Sequence, residues 1–168
     1  YSLKEENDYQ IDFEELESKI TEKTKMIVVV NPSNPTGGIF SRKTLEKLSE
    51  IAIRNDLLVV SDEIHQDFTF GGQKHIAAPA VSIASIPGMK ERTITLGGFS
   101  KAYSMTGWRL GYMCAPEGII SACVRVHQYT ITCASSFVQD AAIVALNECA
   151  DDVEAMRQEY QRRKDFMV

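Results

Sequence analysis

The chain has 168 residues, with 18 lysines and arginines against 23 aspartates and glutamates, giving a formal net charge of −5 and a pI near 5.2. Apolar residues make up 44% and charged residues 24%, which excludes a disordered, collagen-like or low-complexity polymer and suffices for one packed core. A mildly acidic balance without a polybasic run argues against nucleic acid or an anionic membrane as partner and leaves a small ligand open.

The longest uninterrupted apolar run, Ala141 to Leu146, is far shorter than the roughly 20 residues a membrane-spanning helix requires. The N-terminal residues lack the charged-then-apolar layout of a signal peptide, so a soluble, cytoplasmic protein is expected. Cys114, Cys123, Cys133 and Cys149 contain no C-x-x-C pair. They are expected to be reduced and mostly buried, with no metal among them. Tyr1 is not an initiator methionine and Asp151 to Val168 meets no glycine or proline stop, so a longer natural protein is expected.

In chain order, the first 20 or so residues read as a lead-in with a small helix around Asp12 to Leu16. Met26 to Val30 is a continuous apolar, largely β-branched run closed by Asn31-Pro32, the composition of a buried strand. Ser41 to Asn55 carries Leu45, Leu48, Ile51 and Ala52 at helical spacing opposite a charged face and predicts an amphipathic helix. Leu57 to Val60 is a second strand. A turn at Gly71-Gly72 and a loop punctuated by Pro79 and Pro87 lead to a third strand, Thr93 to Leu96, ending in Gly97-Gly98. Arg109 to Ala115 is a fourth candidate. Helices follow at about Glu117 to Tyr129 and Ser136 to Cys149, and Asp151 to Val168 reads as a long exposed helix. No repeat or linker interrupts this alternation, which predicts an α/β fold with a mostly parallel sheet and helices on both faces.

Each of the first three strands runs at once into polar residues that a core does not need. Asn31 to Gly38 (NPSNPTGG) follows the first, Ser61 to His65 (SDEIH) the second, and Gly97 to Lys101 (GGFSK) the third. Ligands of open α/β sheets bind outside the carboxyl ends of parallel strands, so an amide, a carboxylate and an amine would converge in one crevice. Singly, each has an ordinary structural reading: Asn34 as a turn residue between prolines, Asp62 as a cap, Lys101 as a solvated amine.

The segment Gly98 to Gly111 (GFSKAYSMTGWRLG), together with NPSNPTG at Asn31 to Gly37 and SDEI at Ser61 to Ile64, resembles the fold-type I pyridoxal 5′-phosphate enzymes of the aminotransferase class I/II superfamily. The resemblance covers nearly the whole chain. It implies that residues 1–150 are the later part of the large cofactor-binding domain of this transferase fold. Residues 151–168 would then begin the long helix leading to a small C-terminal domain that lies outside the chain. By the same resemblance Lys101 forms a Schiff base with the cofactor aldehyde and shuttles a proton at the substrate Cα. Asp62 pairs with the pyridine nitrogen, Asn34 donates to the phenolic oxygen, and Arg109, eight residues after the lysine, binds the phosphate with help from Ser100. The chemistry agrees: a free lysine, with a pKa of roughly 10.4, is a poor nucleophile at neutral pH, and a carboxylate beside the ring nitrogen keeps it protonated.

Two departures stand out. Where many aminotransferases place a tyrosine three residues after the aspartate, this chain has His65, which resembles carbon–sulfur β-lyases related to cystathionine β-lyase. Position 98 is glycine where some relatives use serine toward the phosphate. The lysine segment Thr106 to Arg109 leans toward aminotransferases, so amino-group transfer from an amino acid to a 2-oxo acid is expected. A β-lyase and a non-catalytic binding or regulatory module remain as alternatives. Trp108 and Tyr112 are expected to pack rather than stack on the cofactor, and His75 and His127 have no assigned role. The resemblance further implies a homodimer for the full-length protein. It also places a phosphate loop and a ring-stacking aromatic before Tyr1, and a carboxylate-binding arginine after Val168, so the 168 residues alone are expected to be inactive.

Overall fold

The computed structural model describes residues 1–70 and 80–167. The turn expected at Gly71-Gly72, the bend at Pro79 and His75 lie outside the described residues. Four strands form one sheet in the order β1 (Met26–Val30), β2 (Leu58–Asp62), β3 (Thr93–Gly98), β4 (Gly111–Cys114). The first three are parallel and β4 runs antiparallel to β3. The mostly parallel α/β sheet anticipated from the sequence is therefore present, with an antiparallel strand at its edge.

The helices are α1 (Phe13–Ser18), α2 (Arg42–Arg54), α3 (Glu117–Thr130), α4 (Ser136–Glu148) and α5 (Ala150–Met167). In α2 the Ser41 hydroxyl accepts the Thr44 N–H at 3.0 Å, satisfying a donor that the first helical turn leaves without a partner. Its apolar stripe buries Leu45, Leu48, Ile51 and Ala52 against Ile27, Val29 and Val59 of the sheet, together with Ile83, Ile86 and Met89. The opposite sheet face behaves differently: Met26 and Val28, one residue out of phase, are exposed.

Three boundaries differ from the sequence reading. Strand β3 continues through Gly97 and Gly98, which pair with Tyr112 and Gly111, because glycines leave room for close approach of the neighbouring strand. Strand β4 starts at Gly111 instead of Arg109. Arg109 has φ 56° and ψ 43°, a left-handed conformation that closes a short 3₁₀ turn (Thr106–Trp108) and cannot continue into an extended strand. Asp62 is the last residue of β2 itself.

The cysteines are free, as expected, but they are not buried: Cys114 and Cys133 are exposed, Cys123 and Cys149 half-buried. Cys123 sits on α3, which has no buried residue, and Cys133 follows it, so this stretch of chain lacks the covering layer that burial would need. Trp108, expected to pack, is also exposed. No helix among the described residues is long and apolar enough to cross a membrane.

Candidate active site

The parallel pairing of β1, β2 and β3 places their carboxyl ends side by side, and all three polar segments emerge there. The Asn31 N–H donates to the Asp62 carbonyl at 3.0 Å and the Glu63 N–H donates to the Leu96 carbonyl at 2.9 Å, so the exits of all three strands are tied in one row.

The loop after β1 folds on itself: the Ser33 N–H donates to the Gly38 carbonyl at 2.8 Å and the Gly37 N–H to the Ser33 carbonyl at 2.9 Å. Asn34 projects from this loop and is exposed. It lines a cleft of about 440 Å³ with Pro32, His65, Phe68, Phe70 and Lys164. The structure thus brings Asn34 and His65, predicted from separate segments, into one cavity. His65 Nδ1 is buried and has no hydrogen-bond partner among the described residues. An imidazole nitrogen in that condition carries hydrogen-bonding capacity that the described residues leave unused.

Asp62 is half-buried, and its Oδ1 accepts the Ile64 N–H at 3.1 Å, fixing the carboxylate through a local turn at the strand end. Lys101 lies on the loop after β3 and is exposed. That loop is braced by the Thr106 hydroxyl, which donates to the Ser100 carbonyl at 2.8 Å, and by the Met105 N–H donating to the Phe99 carbonyl at 3.2 Å. Phe99 and Met105 are buried against Ala142 and Ala145 of α4, so the segment carrying Lys101 is anchored by apolar contacts on both sides of the lysine. Arg109 is exposed, and its Nη1 donates to the Thr106 carbonyl at 3.1 Å. Asp62, Ser100, Lys101 and Arg109 do not line the Asn34–His65 cleft. A second cavity of about 630 Å³ lies toward the start of β3 and the end of β4, lined by Thr93, Cys114 and Pro116, and includes none of the predicted residues.

Three contributors were not singled out in the sequence. Asn31 is buried, accepts the Phe40 N–H at 2.9 Å and reaches the Val81 carbonyl at 3.5 Å. Gln10 joins the lead-in to α2, accepting from the Thr44 hydroxyl at 2.7 Å and donating to the Ile39 carbonyl at 2.9 Å. Glu63 is buried and accepts from two serine hydroxyls. The signal for Glu63 was available: Val59, Ser61 and Glu63 alternate onto the inner face of the sheet.

A sequence profile of the family "Aminotransferase class I and II" matches residues 1–168. The chain belongs to this family. It is 42% identical over 165 residues to the aromatic-amino-acid aminotransferase 2 of Thermococcus litoralis, covering 97% of this chain and 41% of that protein. It is 43% identical over 166 residues to the aspartate aminotransferase of Musicola paradisiaca, covering 99% and 40%. Among solved structures, the aromatic aminotransferase from Pyrococcus horikoshii OT3 superposes with a TM-score of 0.89 at 41% identity, over 97% of this chain and 43% of that one. The chain therefore spans about 40% of the length of the class I and II relatives it matches. Membership of the family implies pyridoxal 5′-phosphate as cofactor. The residues at the strand ends are chemically suited to that group: an amine and an amide on loops either side of a carboxylate at the end of β2, with an unpartnered imidazole nitrogen nearby among the described residues.

Proposed function

We propose that the full-length protein is a pyridoxal-phosphate-dependent aminotransferase that moves an amino group from an amino acid to a 2-oxo acid. The observation that carries this reading is the delivery of Asn34, Asp62 and Lys101 to one edge of the sheet by three adjacent parallel strands. When bound, the cofactor supplies an aldehyde that joins to an amine and a ring that accepts an electron pair.

The chain's own residues do the rest. Lys101 would hold the cofactor through its amine and, when that amine is free, would serve as the base that moves a proton at the substrate Cα. Asp62 would hold the ring nitrogen in its protonated form; an ion pair at ~4 Å in an effective dielectric near 20 would contribute about 4 kcal/mol. Asn34 donates to the phenolic oxygen, with His65 beside it in the same cleft. Arg109 offers a planar fork to the phosphate, and Ser100 adds a hydroxyl.

Within the same reading, residues 1–150 belong to the large cofactor-binding domain and 151–168 begin the helix toward the small domain. The full-length protein works as a cytoplasmic homodimer, and the 168 residues alone are inactive. The named relatives are aminotransferases, which favours amino transfer over β-elimination despite His65.

The test is a visible spectrum of the full-length protein with pyridoxal phosphate, before and after single amino acids are added with a 2-oxo acid. A band that Lys101→Ala abolishes, with a new amino acid as product, supports the proposal. A spectrum indifferent to that substitution overturns it. Release of pyruvate, ammonia and a thiol from a cysteine-type substrate would replace transfer by elimination.

A further inference from the structure

Glu63 stands next to Asp62 in the chain but belongs to a different environment. Strand alternation turns it to the inner face, where it is 5% exposed. Its Oε1 accepts the Ser61 hydroxyl at 2.8 Å and the Ser82 hydroxyl at 2.7 Å. Ser61 is itself 1% exposed. Ser82 also caps a short 3₁₀ turn (Ile83–Ser85) whose Ile83 is part of the main core, so the carboxylate is fastened to a fixed point.

The neighbouring residue Val81 receives the Asn31 side-chain amide, at 3.5 Å, and Asn31 in turn donates its own N–H to the Asp62 carbonyl. The short segment 81–82 thus touches both strand exits from which the Asn34 loop and Asp62 arise. A buried carboxylate with no catalytic task is costly unless it is hydrogen-bonded, and its bonds to hydroxyls are charge-assisted and stronger than neutral ones.

We infer that Glu63, through Ser61 and Ser82, is a positioning residue that sets the placement of the Asp62 carboxylate toward the cofactor ring. The Glu63 backbone N–H, held on the Leu96 carbonyl, fixes the strand end on one side. The side chain fixes it on the other. The Asp62 backbone is held between these restraints and the Asn31 bond, and from that fixed strand end its carboxylate accepts the Ile64 N–H at 3.1 Å. This inference rests on the assignment of Asp62 made above.

The test uses the full-length protein as wild type, Glu63→Gln, Glu63→Ala and Ser82→Ala, with Lys101→Ala as control. Amide hydrogen exchange of the cofactor-free protein reads the brace independently of any chemistry. Exchange in residues 61–65 is expected to rise on the order of tenfold in Ser82→Ala and Glu63→Ala, and less in Glu63→Gln, whose amide oxygen still accepts from both hydroxyls. Affinity for pyridoxal phosphate is expected to fall in the same order. The pH midpoint of the visible band is expected to move upward as Asp62 loses its hold on the ring nitrogen, a change that lost packing alone would not produce.

Exchange, affinity and midpoint all within twofold of wild type in Ser82→Ala and Glu63→Ala would overturn the inference. So would faster exchange spread evenly over all four strands with an unmoved midpoint. If Lys101→Ala leaves the wild-type spectrum unchanged, the assignment of Asp62 fails instead, and the inference with it, even where exchange shows the local brace.

Discussion

Gly97 and Tyr112 face one another across the β3–β4 pairing, and the phenol ring of Tyr112 occupies the space that a side chain at 97 would need. The ring is held edge-on to Phe99, with centroids 6.0 Å apart, just before the lysine loop. Replacing Gly97 by alanine should therefore cost about 1–3 kcal/mol of stability, the usual range for overpacking. In a double-mutant cycle with Tyr112→Ala most of that cost should disappear, since the obstructing ring is gone. Urea unfolding of the four proteins gives the coupling directly, and additive costs would remove the proposed contact.

Gly98 is constrained by backbone instead. A Cβ there would lie 3.2 Å from the Gly111 Cα and 3.3 Å from the Leu110 carbonyl oxygen, and 2.9 Å from the Ile64 side chain. Serine at this position should destabilise this chain by about 1 kcal/mol, on the order of other overpacked sites. Truncating Tyr112 should give no rescue. A Gly98→Ser protein as stable as wild type would show that β4 shifts freely.

Arg109 combines a functional proposal with backbone strain. Its left-handed conformation costs a non-glycine residue about 1 kcal/mol. Arg109→Gly should match or exceed the stability of Arg109→Ala by about that amount, while both lose affinity for pyridoxal phosphate equally. Calorimetric melting and absorption titration separate the two effects. Full retention of affinity in either variant would remove Arg109 from the phosphate site.

For Asp62, substitution by asparagine keeps the shape and removes the charge. With ~4 kcal/mol assigned to the ion pair, kcat/KM of the full-length enzyme should fall by about 100- to 1000-fold. Binding of the cofactor should weaken less. Steady-state kinetics beside cofactor titration checks this, and a loss under threefold would contradict the role.

Burial pushes the Asp67 carboxyl above the ordinary aspartate range. A raised folded-state value means that the fold favours the neutral acid. The stability it contributes is complete below the ordinary aspartate value and is lost as pH rises through the raised one. Asp67→Asn should therefore raise the urea midpoint modestly at pH 7, the side chain being still largely in contact with solvent. The difference should shrink as pH falls and vanish below roughly 3.9. A gap that widens on acidification would reverse the sign of this account.

The elements with strong periodicity were legible before any coordinates. Met26–Val30 and α2 appear where the apolar pattern put them, but the strand buries only one face, Ile27 and Val29, against the stripe at Leu45, Leu48 and Ile51, and the fully buried strand expected from its composition is not found. Direction was less legible: nothing in RLGYMCA says antiparallel, since strand orientation is set by the intervening 3₁₀ turn and the left-handed Arg109. The cysteines misled because burial tendency is a property of a residue type, whereas α3 has no layer over it among the described residues. At the candidate site, Asn34, Asp62 and Lys101 stand out in the sequence because each follows or ends a strand. Asn31 and Glu63 do not, because their work is done through partners 9 and 19 residues away.

Strand β1 pairs with β2 alone among the described residues, and Val28 on it is 55% exposed. Its outer margin offers amide and carbonyl groups beside an oily surface, with the Val28 carbonyl taken up by the Tyr1 hydroxyl at 3.1 Å, and such a margin can recruit a foreign strand. Produced by itself, the 168-residue piece should gather into clusters through that margin, and a charged residue in place of Val28 should keep it dispersed.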